Sequence, residues 1–512
     1  MAFFRERLCF SKGRRIFASV SGDFENFASV DDAGLIVADM SARIDITSSR
    51  ADNITWMSAQ KSALLVGTGG SELAVSENDR SKAFGPGNIK SDKQSEYGSS
   101  GVASVAVGHG VLFVQGCNNI LRDMVVAESV DERWASADVT VLAEHIVKSG
   151  IVDMAYQQSP DQVLWCVTSD GGLSGFTISR DQDVRGWHRH TIGGHSNLHK
   201  TDKAVVESVE TIQSSDGNDE LWMIVRRMIN GSMKRYIEYV TPSRNKDADA
   251  PHLGVFSDSS LSLVNSVSTT LTPGGGADVA GESGVSFISG SSVFSSTDVG
   301  QYIHKDYKLT SDSGDVSWHM AVAKITSYIS GTSVVADVLL PFDNVDVVPS
   351  GGWRKTVSTI SGLSHLEGET VAIRVDGAAG TDKVVVSGVV EIDSPASVIH
   401  VGLPYASVLT TMPLEAGSND GSAQGKIKRI SNCTIRFNES MGAEYGNEYG
   451  EMDSLPSVEA DGHMGLSPEL FTGNVTVAWP SGYGTDASVT IVQRLPLPCS
   501  VVAVMPKITT NN

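Results

Sequence analysis

One pattern recurs through the first half of the chain and limits its possible folds more than any other feature. Each copy contains a short apolar strand, a polar or glycine-rich turn, a fully apolar strand, a second turn and an alternating strand. The copies occupy residues 54–76, 102–126, 151–179 and 206–240. Their apolar centres recur about every 50 residues, a period typical of propeller blades; they lie near Leu65, Leu112, Leu164 and Leu221. The sequence therefore predicts a series of antiparallel β-sheets.

Residues 163–190 contain the pattern and also histidines, carboxylates, a cysteine and a serine near glycines. The continuous apolar run 163–167 is typical of an inner strand buried on both faces, and glycines follow where a hairpin needs positive φ. Tryptophans in the blades are predicted to pack between sheets rather than to bind a ligand; they are Trp56, Trp165, Trp187 and Trp222. We therefore interpret 163–190 as a blade, not as an active site.

One interruption of the blades has the signals of a helix. In residues 138–150, Asp138 stands at an N-cap position and Gly150 at the C-terminal end. The residues that would share one face are Val141, Leu142, His145 and Ile146. The pattern predicts a short helix across one end of the blades, with His145 as a structural histidine.

The pattern changes after residue 250, where serine and glycine become frequent. Short alternating runs at 285–342 predict a small β-barrel. The predicted domains are the propeller blades at 1–250, a linker and small β-barrel at 251–346, a β-rich domain at 347–415 and a C-terminal β-domain at 416–512. The predicted fold class is all-β: an incomplete β-propeller followed by small β-barrel and β-sandwich-like domains.

Composition limits the partners. The chain carries 39 basic and 60 acidic residues, a formal net charge of −21, which disfavours a sequence-general nucleic-acid binder or a binder of acidic membranes. Five well-separated cysteines with no Cys-x-x-Cys pair predict neither a disulfide framework nor a zinc knuckle. The sequence shows no secretory signal and no apolar span of about 18 residues, so we expect synthesis and folding in a cytoplasm.

A histidine cluster is the strongest candidate for chemistry. His188 and His190 alternate along a predicted strand, which places two imidazoles on one face, and His195 and His199 follow. No carboxylate or cysteine lies close by in sequence, and Arg189 adds positive charge where a cation would sit. His188 and His190 are therefore weak metal candidates, and the favoured interpretation has no metal, no cofactor and no catalytic residue.

Known catalytic motifs fail on inspection. Ser174 lacks the Gly-x-Ser-x-Gly spacing of a nucleophile elbow, and 420–427 has Asp420 where a phosphate loop needs its first glycine. Residues 179–187 approximate the Asp-box turn of sialidase propellers, but Asp183 replaces the glycine. The basic clusters alternate with apolar residues and are predicted to decorate strand edges or interfaces; they lie near Lys12, at Arg226 and Arg227, and at 426–429.

Several strings resemble one known family. In the first half they are "AFFRERLCF", "SVSGDFENF", "GTGGSELAVS", "DVTVLAEHI", "IVDMAYQQSPDQVLWCV" and "QDVRGWHRHTIGG"; in the second they are "LSHLEGETVAIRVDG", "SPASVIHVGLPY" and "QGKIKRI". They are similar to the nozzle or hub (tail tubular protein B-like) proteins of short-tailed bacteriophages, over nearly the whole chain. Residues 285–342 resemble the FCCH-like domain after which such proteins are often labelled ubiquitin-activating enzyme-like, a label without catalytic implication here.

The resemblance implies a structural protein of the virion tail, assembled in the cytoplasm of a bacterial host. About six copies would form a ring below the portal and adaptor proteins, beside tail fibres or spikes, and would close the channel until DNA is ejected. DNA would pass through the lumen without specific binding, which agrees with the acidic balance of the chain. A glycan-binding or glycan-degrading propeller of a phage tail remains the alternative.

The chain departs from the family at its beginning. Members usually carry further blades ahead of "FFRERLCF", whereas here the string starts at residue 3. Residues 1–27 are therefore interpreted as the outer strands of a blade whose inner strands are absent, so the chain would begin in the middle of a blade. A separate polypeptide is expected to supply the missing N-terminal blades.

Overall fold

The chain folds almost entirely into β-strands. The computed structural model describes residues 1–46, 53–127, 133–241, 249–310, 314, 316–415, 422, 424–447, 452–455, 470–480 and 482–510. Within these ranges the helical segments are three 3-10 turns, Pro251–Leu253, Ser296–Asp298 and Ser364–Leu366, and no helix in them is a candidate membrane span. The prediction of an all-β fold is confirmed.

Five successive sheets, numbered here as blades 1 to 5, fill the first half. Blade 1 contains β1 (Ala2–Phe4), β2 (Arg7–Lys12), β3 (Arg15–Ala18) and β4 (Ala42–Asp45), and blade 2 contains β5 (Ile54–Ala59), β6 (Leu64–Thr68), β7 (Glu72–Glu77) and β8 (Ile89–Ser95). Blade 3 contains β9 (Val105–Val107), β10 (Gly110–Val114), β11 (Leu121–Val126) and β12 (Trp134–Asp138), and blade 4 contains β13 (Ile151–Gln157), β14 (Val163–Thr168), β15 (Leu173–Ser179) and β16 (Val184–His190). Blade 5 has three strands, β17 (Val205–Gln213), β18 (Asp219–Ile229) and β19 (Ser232–Tyr239). Each sheet keeps its strands in chain order.

Neighbouring blades are joined by apolar cores. Ile16 of blade 1 packs in one cluster with Leu64 of blade 2, Trp56 of blade 2 with Phe113 of blade 3, and Leu112 of blade 3 with Leu164 of blade 4. The inner strands β6, β10 and β14 are buried along their whole length, as strands covered on both faces must be. In the part of the chain that the structure describes, no strand of blade 5 packs extensively against a strand of blade 1, so the propeller is incomplete, as predicted.

The beginning of the chain corrects one prediction. Residues 1–27 are not the outer strands of a truncated blade, because β1 to β4 form a complete four-stranded antiparallel sheet. The fourth strand, β4, is only four residues long and follows a connection that spans residues 19–41. A strand so short and so far from its neighbour carries too little periodicity to be recognised in the sequence.

The helix predicted at 138–150 is also wrong. The segment forms successive turns in which the Ala143 amide donates to the Thr140 carbonyl and the Ile146 amide to the Ala143 carbonyl. Its β-branched residues favour extended backbone, and a helix this short gains little from propensity alone. Ala143 and Val147 are buried, whereas Leu142 is 93% exposed, so packing selects different residues from those on the predicted face.

A closed six-stranded barrel lies in the second half. The strands that follow blade 5 are β20 (Asp258–Val264), β21 (Leu271–Pro273), β22 (Val285–Ser289), β23 (Tyr302–Thr310), β24 (Val316–Ser330), β25 (Ser333–Leu340), β26 (Arg354–Lys355), β27 (Val357–Ser361), β28 (Thr370–Val375), β29 (Ala378–Ala379), β30 (Lys383–Val384), β31 (Val389–Ala396) and β32 (Val398–Leu403). The barrel order is β21-β22-β25-β24-β23-β26. Its two ends meet where Leu271 and Val348 exchange hydrogen bonds and where Ser266 bridges Arg354 of β26. Phe287 and Trp353 are fully buried in its core.

The remaining strands form a smaller sheet and a sandwich. Strand β20 pairs with β32, which continues to β28 and β29, and β27 pairs with β31. Last in the chain come β33 (Ser407–Thr410), β34 (Lys428–Ser440), β35 (Glu444–Gly446), β36 (Met452–Ser454), β37 (Phe471–Ala478), β38 (Thr490–Gln493) and β39 (Ser500–Thr510). They form two sheets, β33-β38-β35-β36 and β37-β34-β39, around one core that includes Ile435 and Ile491.

Contacts divide the chain into two compact units. The first consists of Met1–His190, Ala204–Arg226 and Arg235–Val240, and the second of Thr191–Lys203, Arg227–Lys234 and Thr241–Asn512. The predicted linker that opens the 251–346 domain contains a strand, β20, which pairs with β32 from the predicted 347–415 domain. The predicted division at 346 therefore cuts through a paired sheet.

Candidate functional site

The two candidate histidines meet on the last strand of blade 4. His188 Nδ1 and His190 Nε2 lie 2.7 Å apart, and the rings meet edge to face. The other ring nitrogen of His188, Nε2, lies 3.1 Å from the Thr177 hydroxyl on β15. We define the His188–His190 pair as the histidine pair.

The sheet positions this pair through one glycine and one tryptophan. His188 faces Gly175 across β15 and β16, and a Cβ atom at Gly175 would lie 2.1 Å from His188 Cε1. Glycine is therefore needed for the ring to lie flat against the strand. The Trp165 ring lies 4.7 Å from the His190 ring, and its Nε1 donates to Gln157 at 2.9 Å.

Both imidazoles are held neutral near pH 7. Loss of hydration lowers the pKa of His188, and it lowers the pKa of His190 to about 4, with a further contribution from the neighbouring His188. His190 keeps an exposed edge, so water screens part of this effect. A neutral pair has one N–H donor facing one lone pair at 2.7 Å, which makes the contact a hydrogen bond rather than a repulsion.

The structure does not join the other histidines to a metal site. His195 forms an isolated bridge with Lys203 in the connection after β16, where His199 also lies. Among the described residues there is no group of three or more His, Cys, Asp or Glu side chains that could hold a metal ion. The histidine pair therefore offers two nitrogen ligands, fewer than the three or four protein ligands of zinc sites.

Ser174 and Cys166 belong to the scaffold of blade 4. They face each other across β14 and β15, and both are buried. Burial raises the pKa of the Cys166 thiol far above its usual range, so it stays protonated and unreactive. Asp170 accepts hydrogen bonds from Thr168 and Ser149, which lower its pKa and fix the turn before β15.

A buried polar network in the second unit was not predicted from the sequence. The Arg354 guanidinium on β26 holds the Asp306 carboxylate on β23 through two hydrogen bonds of 2.6 and 2.8 Å. His252 Nε2 lies 3.1 Å from the same carboxylate. Burial alone would raise the pKa of Asp306, but hydrogen bonds from His252 and Arg354 outweigh it and hold this pKa well below its ordinary value.

The network contains a serine, a histidine and an aspartate, but not in the order of a catalytic relay. Ser397 Oγ lies 2.9 Å from His304 Nδ1 and donates to Asp376 at 2.9 Å. Asp376 lies 3.6 Å from the same His304 nitrogen, whereas a relay needs serine and aspartate on opposite nitrogens of the imidazole. Ser397 is fully buried, so the trio links the barrel to the β20-β32-β28 sheet.

A third buried histidine completes this link. The His400 Nε2–H donates to the His252 carbonyl at 3.0 Å, so Nδ1 accepts from the Ser262 hydroxyl at 2.7 Å. Burial lowers the pKa of His400 to about 4 and also lowers that of His304. The one local signal in the sequence is the alternation of His304 and Asp306 on β23, but polar alternation ordinarily indicates a solvated face.

The stacked blades define the class: the chain is a β-propeller protein with further β-domains. No family model matches the chain, and no curated protein matches its sequence. Among solved structures, it is 10% identical to the WD40 domain of SCAP from fission yeast, with a TM-score of 0.25, over 66% of this chain and 82% of that one. It is also 10% identical to a protein from Lactobacillus plantarum, with a TM-score of 0.23, over 67% of this chain and 99% of that one. The propeller class follows from the successive four-stranded sheets and the apolar cores between them.

Proposed function

We propose that this chain is a structural subunit of the tail nozzle or hub of a short-tailed bacteriophage. About six copies would form a ring below the portal and adaptor proteins and gate the passage of DNA during ejection. The proposal starts from the resemblance of the sequence strings to that family. The structural observation that supports it most is the open series of blades, which leaves end faces for neighbouring subunits.

Stiffness suits such a subunit. Buried Arg7 is 1% exposed, and its guanidinium donates to the carbonyls of Ser19, Met40 and Ala38 in blade 1 and of Phe84 in blade 2. This one side chain therefore fixes a long connection and an inter-blade contact at once. A wall built from sheets fastened in this way resists deformation while DNA passes.

Charge suits a channel for DNA. The formal net charge of −21 disfavours lasting contacts with phosphates, so DNA would slide through the lumen without specific binding. The proposed partners are other copies of this chain, the portal and adaptor proteins, and tail fibres or spikes. The proposed location is the virion tail, after assembly in the bacterial cytoplasm.

Electron microscopy of the purified full chain tests the proposal. We expect ring-shaped particles of about six copies, together with no retention of double-stranded DNA in a filter assay at physiological salt. A protein that remains monomeric at every concentration tested would overturn the proposal, and so would tight DNA binding.

A panel of glycosides and immobilised glycans distinguishes the nozzle subunit from the alternative, a glycan-binding or glycan-degrading tail protein. A nozzle subunit leaves the glycosides intact and does not bind the glycans. Turnover or saturable binding by a monomer would instead identify a glycan-directed tail protein. The same preparation serves both assays, so the two outcomes are compared on one sample.

A further inference from the structure

Blade 5 has a buried face toward blade 4 and an open face on its other side. Leu221 is buried, and Thr211, which pairs with it across the strands, donates to the Tyr156 carbonyl of blade 4 at 2.9 Å. Since side chains alternate between the two faces of a strand, Trp222 and Ile224 lie on the opposite side of β18. We define this opposite side of the sheet as the blade 5 face.

Apolar side chains occupy the centre of the blade 5 face. The rings of Trp222 on β18 and Tyr239 on β19 stack at 5.1 Å, which places Tyr239 on this face. Ile237 stands two residues before Tyr239 on the same strand and therefore shares the face. Ile224, Tyr239 and Ile237 are 36%, 48% and 74% exposed. A contiguous exposed apolar surface on a sheet is typical of a protein contact.

One end of the blade 5 face is acidic. Glu220 precedes the apolar centre on β18, and its carboxylate accepts the Trp222 indole N–H at 3.1 Å. Glu210 pairs with Trp222 across β17 and β18, so its side chain points to the same face. This end therefore carries two carboxylates.

The other end of the blade 5 face is basic. Arg226 follows the apolar centre on β18, and its Nε lies 3.0 Å from the Glu207 carboxylate. The Nε of Arg235 on β19 lies 2.6 Å from the same carboxylate. Two guanidiniums around one carboxylate leave one positive charge in excess. The face therefore changes sign along the strands, with the apolar residues between the two ends.

A face with this arrangement is complementary to itself. A second copy can be rotated by 180° about an axis that lies between the two faces and runs across the strands. The acidic end of each copy then lies over the basic end of the other, and the two apolar centres meet near Ile224. Two-fold contacts use the same patch on both copies in this way. Like charges would meet if the strands of the two copies ran in the same direction, so charge selects the antiparallel arrangement.

We propose that the blade 5 face joins two copies of this chain in a two-fold dimer. The proposal rests on the residues of this face and not on the proposed nozzle function, because a ring joins its subunits through two different surfaces. One face of three strands is a small interface, so the dimer forms at micromolar concentrations rather than permanently.

Charge reversal in the purified full chain tests the complementarity. Glu210→Lys combined with Glu220→Lys makes both ends basic, and Arg235→Glu in a second variant makes both ends acidic. Each variant alone should raise the Kd of the dimer about tenfold or more, because like charges then meet at both ends. An equimolar mixture should restore pairing, with one copy of each variant in the dimer and a Kd within about threefold of the natural one. Sedimentation velocity across micromolar concentrations measures all three.

A cysteine crosslink locates the two-fold axis. Ile224→Cys, in a chain whose exposed Cys117 is replaced by serine, should form a disulfide between residues 224 of two copies under mild oxidation. The matched control is Leu142→Cys in the same background, because Leu142 is 93% exposed but lies outside blade 5. We expect the control to give far less covalent dimer.

The outcomes distinguish a folding defect from a lost contact. A defect in either charge-reversed variant would lower its melting temperature and would persist in the mixture, whereas lost complementarity is rescued there. A chain that stays monomeric, two variants that pair as well as the natural chain, or a mixture without rescue would overturn the proposal. Equal crosslinking at residues 142 and 224 would overturn it as well. Ring-shaped particles without the crosslink at residue 224 would overturn the dimer alone and leave the proposed nozzle function standing.

Discussion

The Arg180 guanidinium donates two hydrogen bonds to the Asp123 carboxylate, from Nε to Oδ2 at 3.1 Å and from Nη2 to Oδ1 at 2.6 Å. Arg180 follows the third strand of blade 4, and Asp123 lies on the third strand of blade 3. Arg180 Nη1 also donates to the Val107 carbonyl at 2.6 Å. The Asp123 side chain is only 3% exposed, so this ion pair is largely buried and connects the two adjacent blades.

Removing Arg180 should therefore lower the free energy of unfolding more than removing one partner of a surface ion pair does. We expect Arg180→Ala to lower the free energy of unfolding by about 3 kcal/mol, because Asp123 is left buried without a counter-ion. Arg235→Ala is the matched control, since its pair with Glu207 is exposed on the arginine side, where water screens the attraction, and its removal should lower the free energy of unfolding far less. Urea denaturation followed by tryptophan fluorescence measures both. Equal losses in the two variants would contradict the structural difference between the pairs.

Gly67 is a position where a single methyl group should disturb an inter-blade core. Its Cβ atom would lie 2.2 Å from Cε2 of Trp56 and 2.7 Å from the Ser99 hydroxyl oxygen. Trp56 packs on Phe113 at 5.3 Å and cannot move aside freely. We expect Gly67→Ala to lower the free energy of unfolding by about 1–3 kcal/mol.

Gly186→Ala provides the control for that substitution. Nothing lies within 4 Å of a Cβ atom at Gly186, and it also stands in a strand. The added side chain should leave the stability unchanged or raise it slightly, because it restricts the unfolded chain. A loss at Gly186 as large as that at Gly67 would show that strand glycines matter for backbone freedom rather than for the Trp56 contact.

Acid should weaken the second unit at its buried histidines. The pKa of His400 is about 4, below the value of about 6.5 in an unfolded chain, so the unfolded state binds more protons between these two pH values. Stability is therefore fully present above about pH 6.5 and falls as the pH drops toward 4. A protonated His400 would place a second N–H against the Ser262 hydroxyl, with the Arg374 cation nearby.

A neutral substitute isolates this contribution. His400→Gln should flatten the loss of stability between pH 7 and pH 4.5, by up to about 3 kcal/mol for the full shift at His400. His304 has a lowered pKa as well and should account for part of the slope that remains. Urea midpoints across this pH range give the slopes. An unchanged slope in His400→Gln would contradict the assignment.

The sequence predicts the blades because their inner strands are continuous apolar runs. Such runs can be recognised whatever the length and sequence of the turns beside them. It does not predict β4 of blade 1, because four residues after a long connection carry no measurable period. It predicts a helix at 138–150 because capping signals outweigh local β-branching, whereas the core accepts Ala143 and Val147 through turns.

The buried polar network cannot be predicted from the sequence, for a different physical reason. Arg354 and His252 meet at 3.3 Å although 102 positions separate them in the chain. A polar residue that alternates with apolar ones is ordinarily placed in water by its own strand, and only the other sheet supplies the partners that make burial possible. The histidine pair could be predicted as a pair, because His188 and His190 alternate on one strand, but its neutrality depends on Trp165 and Gly175.

The histidine pair should not hold zinc. Two imidazoles joined by a hydrogen bond of 2.7 Å would have to separate and turn both lone pairs to one ion, and zinc sites add at least one further protein ligand. We expect elemental analysis of the purified full chain to find less than about a tenth of an equivalent of zinc, iron or manganese. The His188→Ala/His190→Ala variant is the control, and its metal content should match that of the natural chain. One equivalent of metal that disappears in this variant would show instead that the pair is a ligand set, completed by a side chain or a partner that binding brings to it.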